Sequence, residues 1–145
     1  MSRVELAVSC FKEGFSCPQA ILSTYGTQFG LRREIALKIA GAFGGGMGRM
    51  GETCGAVTGA FMVIGLKYGR TIAEDMQSYY KTNKLVKEFV ERFKSRNGSI
   101  VCRELLGCDL STLQGIHIIR KNKLHETLCA KFVQDAAEII EQILE

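Results

Sequence analysis

The chain has 145 residues, of which 46% are hydrophobic and 23% charged, and its formal net charge is +4. That length and balance suit one domain able to bury a core without disulfides or metals, and they exclude a disordered chain. Lys and Arg alternate with Glu instead of gathering in a block, so nucleic acid is not an expected partner.

Apolar residues recur at helical spacing and the chain holds a single proline. The expected fold is therefore all-α, a single-domain helical bundle over residues 1–145. Val4 to Phe11, Gln19 to Phe29 and Arg32 to Phe43 read as three short helices separated by Gly14 and Gly30. A glycine-rich turn follows, Gly44-Gly45-Gly46-Met47-Gly48-Arg49-Met50-Gly51. It contains the letters G-x-G-x-x-G, but a dinucleotide loop must follow a strand, and what precedes this one is helical; no nucleotide is expected. The glycines instead supply backbone angles that other residues avoid.

In the next helix Gly55, Ala56, Gly59 and Ala60 place small residues on one face, while Val57, Phe61, Met62, Val63 and Ile64 fill the rest. A helix apolar all round belongs at the centre of a bundle, with neighbours packed closely on its small face. The uncharged stretch from Thr53 to Leu66 is about fourteen residues, short of the roughly twenty that span a bilayer. With no signal pattern at the N-terminus either, the expectation is a cytoplasmic protein with no membrane partner. From near Thr71, a helix striped by Leu85, Val86, Phe89, Val90 and Phe93 runs to a stop at Asn97-Gly98. Leu128, Phe132, Val133, Ala136, Ile139, Ile140, Ile143 and Leu144 mark the last helix, with Lys131, Gln134, Glu138, Glu141 and Gln142 largely opposite.

Six cysteines in such a chain point to reactivity or metal binding, because a reducing compartment gives structural disulfides no lasting benefit. Pro18 favours a first helical position, which puts Cys17 at a helix start. Thr53 can cap the central helix with Cys54 in its first turn, and Ser99 can cap a short helix with Cys102 in its first turn. Three thiols near positive helix ends should have lowered pKa values, with Glu52 opposing and Arg49 assisting. Cys129 joins them if the last helix packs against the central one. No pair forms a C-x-x-C, so neither a zinc knuckle nor a thioredoxin-type motif is present. In a thiol mechanism Cys54 is the expected nucleophile, and Cys17 or Cys102 resolves the mixed disulfide. His125 lies four residues before Cys129 and would share its face, but it reads as a lone surface histidine; His117 offers less.

The pattern resembles the C_GCAxxG_C_C family of redox-active proteins over nearly the whole chain. The matching residues are Ser16-Cys17, the stretch from Gly44 through Glu52-Thr53-Cys54-Gly55-Ala56-Val57-Thr58-Gly59, then Cys102-Arg103-Glu104-Leu105-Leu106-Gly107, and Cys129 with Phe132-Val133. The resemblance implies a prokaryotic protein with four defining cysteines, Cys17, Cys54, Cys102 and Cys129, leaving Cys10 and Cys108 outside the pattern. Members are also similar to a domain of some multi-haem, split-Soret-type cytochromes, but the chain has no C-x-x-C-H, so haem is not expected.

Four converging thiolates would form a soft, all-sulfur site. It could hold an iron-sulfur cluster, [2Fe-2S] being favoured, and carry electrons, or work by thiol/disulfide exchange without metal; zinc ranks behind both. The expected partner is a redox protein, and a homodimer is compatible with the sequence. The alternative from another class is a zinc- or other metal-stabilised helical adaptor whose cysteines are structural.

Overall fold

The computed structural model describes residues 1–145 as eight α-helices with no strand, 72% of the chain being helical. In order these are α1 (Arg3–Lys12), α2 (Cys17–Gly26), α3 (Arg33–Ala40), α4 (Gly55–Tyr68), α5 (Met76–Asn97), α6 (Cys102–Leu106), α7 (Leu113–Lys121) and α8 (Ala130–Leu144). Short 3-10 turns at Thr27–Phe29 and Gly41–Phe43 extend α2 and α3, and a π-helical turn at His125–Cys129 leads into α8. No helix is long and apolar enough to cross a membrane.

The caps explain most of these boundaries. Ser16 and Gln19 close a reciprocal capping box at the start of α2, which satisfies donors that the first helical turn leaves unpaired. The Asp75 side chain accepts from the Ser78 N–H at 3.1 Å. That cap starts α5 at Met76, five residues later than the expected Thr71, and Gly98 in a left-handed conformation ends it. The Thr112 hydroxyl caps α7 by accepting from Gly115 N–H at 3.0 Å; the apolar spacing in the sequence had not marked this helix.

Helix α4 is the centre of the bundle, as its all-round apolar character predicts. Gly55, Ala56, Val57, Thr58, Gly59, Ala60, Val63 and Ile64 are all buried, and α2, α5 and α8 pack on it. The small face lets α2 approach: a Cβ at Gly55 would overlap the Pro18 ring, and one at Gly59 would sit 3.1 Å from Ile21 Cβ. Helix α8 buries Phe132, Val133, Ala136, Ile139, Ile140 and Ile143, most of the stripe seen in the sequence. The Tyr25 hydroxyl donates to Glu141 Oε1 at 3.0 Å and so ties α2 to α8. Asp135, only 8% exposed, accepts from Arg96 at 3.2 Å and Lys131 at 2.7 Å, which compensates the burial of its charge.

Candidate functional site

Three of the four cysteines stand at the N-terminal end of a helix and the fourth in the helical turn that runs into α8, and all four meet. Cys17 is the first residue of α2, Cys54 the residue capping α4, Cys102 the first residue of α6, and Cys129 the last residue of the turn entering α8. Their side chains line one small cavity of about 40 Å³, together with Gly45, Gly46, His125 and an apolar wall of Leu105, Leu106, Leu110 and Phe132.

Backbone pairing between two distant segments puts Cys54 beside Cys102. Cys54 N–H donates to Ile100 O at 2.7 Å and Cys102 N–H to Glu52 O at 2.6 Å, with Thr53 and Val101 forming an isolated antiparallel bridge. This pairing displaces two expected caps: Cys54 itself, not Thr53, caps α4, and Val101, not Ser99, caps α6. Glu52 is tied to Arg103 at 2.9 Å instead of facing the thiols.

The glycine turn forms the floor. Residues Gly45, Gly46, Met47, Gly48 and Arg49 all have positive φ, between 58° and 71°, so the chain makes a left-handed turn that L side chains rarely adopt. Gly46 is buried, and a Cβ there would lie 2.8 Å from Cys102 Cβ. Glycine is thus required where the turn passes beneath that cysteine. The amides of residues 47 to 52 all donate to carbonyls within the turn or just before it, whereas those of Gly45 and Gly46 have no acceptor in the chain. Buried unpaired N–H groups are rare.

The thiols differ sharply in acidity. Burial pushes Cys54 up to about 12, against the opposing pull of the Ala56 and Val57 N–H groups. The helix start therefore acts in the expected direction and is outweighed by the apolar wall. Cys102 is likewise pushed up to about 12 by burial, with Cys54 and Cys129 adding to it. Cys17 is raised because its proton is held in a hydrogen bond to Cys129, and burial adds to this.

Cys129 goes the other way. The neighbouring Cys17 thiol stabilises its thiolate most, burial opposes, and the His125 imidazole favours it next, so the thiol is lowered to about 6. His125 is raised in turn, first by its bond to Cys129. The expectation of lowered pKa values at Cys17, Cys54 and Cys102 is thus reversed, and the acidic thiol is the fourth one. His125 is exposed, as expected, but it is not isolated: its ring packs 4.9 Å from that of Phe11 and edges the cavity. The four-residue offset from Cys129 was the available signal.

Cys10 and Cys108 stand apart from the cavity lining. Cys10 is buried in the packing of α1 on α2, 3.6 Å from Ser23 Oγ, and half-buried Cys108 faces Leu106 O at 3.7 Å. All six cysteines are free.

The four thiols are a soft donor set of the kind that holds zinc or iron-sulfur clusters, but they do not form a ready ligand cage in the cavity. No three His, Cys, Asp or Glu side chains are set around one point as the ligands of an ion would be. A space of about 40 Å³ has room for about two or three waters, not for a core of two irons and two sulfides.

No curated protein and no solved structure matches the chain. A family model described as "Putative redox-active protein (C_GCAxxG_C_C)" matches residues 15–143, a span that includes the four cavity cysteines, the glycine turn and His125. On that match the chain belongs to the C_GCAxxG_C_C family.

Proposed function

We propose that the protein is a thiol/disulfide exchange protein in which Cys129 is the nucleophile, Cys17 the resolving thiol and His125 the proton partner. The observation that carries this reading is geometric: Cys17, Cys54, Cys102, Cys129 and His125 line one small cavity, where the Cys17 thiol and His125 favour the Cys129 thiolate while burial raises Cys54 and Cys102. Only a thiolate attacks a disulfide. Near neutral pH Cys129 supplies it, and Cys17, which lines the same cavity, is placed to displace whatever Cys129 captures. The assignment moves the nucleophile from Cys54 to Cys129 because burial disfavours the Cys54 anion. Cys54 and Cys102 then serve as protonated wall residues that keep the pair in an apolar surrounding.

Site-resolved alkylation of the reduced protein across pH 4 to 10 tests the reading. Cys129 should react first, with a midpoint near 6, and Cys54 and Cys102 should lag throughout. Earliest modification of Cys54 would overturn it. The four-sulfur lining also supports a second reading, a metal or iron-sulfur centre assembled by moving the sulfurs apart. Iron, zinc and sulfide bound stoichiometrically to protein prepared without oxygen would put that reading in place of the first.

A further inference from the structure

Beside the thiol cavity runs a groove of about 700 Å³ that shares Ser16, Gly45, Leu110 and His125 with it. Two arginines line this groove, Arg49 from the glycine turn and Arg120 from α7, and no Asp or Glu does. Neither arginine takes part in any ion pair of the chain. Elsewhere Arg33, Arg92, Arg96 and Arg103 each hold a carboxylate, so the groove arginines keep their charge uncompensated. Arg49 is moreover fixed at φ 62°, a conformation that costs energy for a residue with a side chain.

An acid-free cleft with two unpaired guanidinium groups is a site for an anion, and arginine's planar fork suits carboxylates. The geometry points to a low-molecular-weight disulfide bearing carboxylates as the substrate, its acid groups held by Arg49 and Arg120 and its sulfur-sulfur bond lying over the cavity mouth beside His125. This rests on the exchange reading above and names its substrate class.

The chemistry balances without a further reactant. The Cys129 thiolate attacks one ligand sulfur, the ligand's sulfur-sulfur bond breaks, and the departing thiolate takes the proton held by His125. Cys17 then attacks the Cys129 sulfur, the mixed disulfide breaks, and the Cys17 proton goes to the second departing thiolate. The ligand disulfide is reduced to two thiols and the Cys17–Cys129 pair is oxidised to a disulfide.

Stopped-flow oxidation of the reduced protein by three small disulfides tests the inference: dianionic dithiodiglycolate, neutral hydroxyethyl disulfide and dicationic cystamine. Each rate is divided by that of the same disulfide with a simple reference thiol. The normalised rate should be roughly tenfold or more higher for the dianion than for the neutral compound, lowest for cystamine, and reduced in preference by salt. In the Arg49→Gln/Arg120→Gln double variant the dianion-to-neutral ratio should fall to about one, whereas the distant control Lys94→Gln keeps it. Equal normalised rates in the wild-type protein, or a preference that survives in the double variant, would overturn the substrate assignment alone. If none of the three disulfides oxidises the pair, the exchange reading itself falls.

Discussion

Cys54 caps α4 in a non-helical conformation and Cys129 lies in the helical turn that runs into α8; both line one cavity, yet one thiol is raised and the other lowered. The difference lies in what each sulfur meets. Cys54 receives only backbone N–H groups, whose stabilisation is less than the cost of taking a charge into an apolar wall. Cys129 meets a thiol donor and an imidazole, and hydrogen bonds to a charged acceptor are roughly twice as strong as neutral ones. Replacing His125 with Gln removes the positive partner and leaves the Cys17 bond, so the Cys129 midpoint should move up. Alkylation of Cys129 at pH 6 should slow by roughly fivefold. Cys17→Ala should move the midpoint further, since Cys17 is the larger contributor. A midpoint unmoved by either change would show that the anion is stabilised elsewhere.

Elements with a long apolar stripe were legible from sequence, because burial against the core writes its period into the residues. Helices α4, α5 and α8 are of this kind. Helix α7 was not, since it buries only Gly115 and Ile119; its signal lay in the Asp109-Leu110-Ser111-Thr112 turn, where the Asp109 carboxylate accepts from Ser111 N–H at 2.9 Å before Thr112 caps the helix. The site divides in the same way. The four cysteines that line the cavity are those of the family pattern, and the place of Cys17 at a helix start could be read from Pro18, though the caps of α4 and α6 lie one or two residues from those expected. The order of their acidities could not, because it depends on the wall of Leu105, Leu106, Leu110 and Phe132 and on a contact between Cys17 and Cys129, which lie in elements far apart in sequence. The strict glycine at position 46 was legible as a turn; its reason, the Cys102 side chain above it, was not.

At the scale of the whole molecule, burial of protonated thiols makes stability depend on alkaline pH. In the unfolded chain these thiols ionise near 9, whereas in the folded protein Cys54 and Cys102 keep their protons to about 12. Between those values the folded state binds more protons, so stability must fall as pH rises. Tyr25, raised by burial and its bond to Glu141, adds to the fall above pH 10. Cys129 has the opposite sign: its folded pKa near 6 means that its contribution is complete above pH 9 and is lost as pH drops toward 6. The urea midpoint of the fully reduced protein should therefore decline steadily from pH 9 to 12, and Cys54→Ala should flatten that slope. A flat alkaline profile would contradict the burial of the two thiols as protonated groups.

The central claim is that one pair among six cysteines does the chemistry, and mapping the disulfide formed when the reduced protein is equilibrated with a small disulfide buffer tests it most directly. The predicted product is a single Cys17–Cys129 crosslink, with Cys10, Cys54, Cys102 and Cys108 still free. A crosslink between Cys54 and Cys102, or a protein that keeps all its thiols while retaining iron and sulfide, would contradict it.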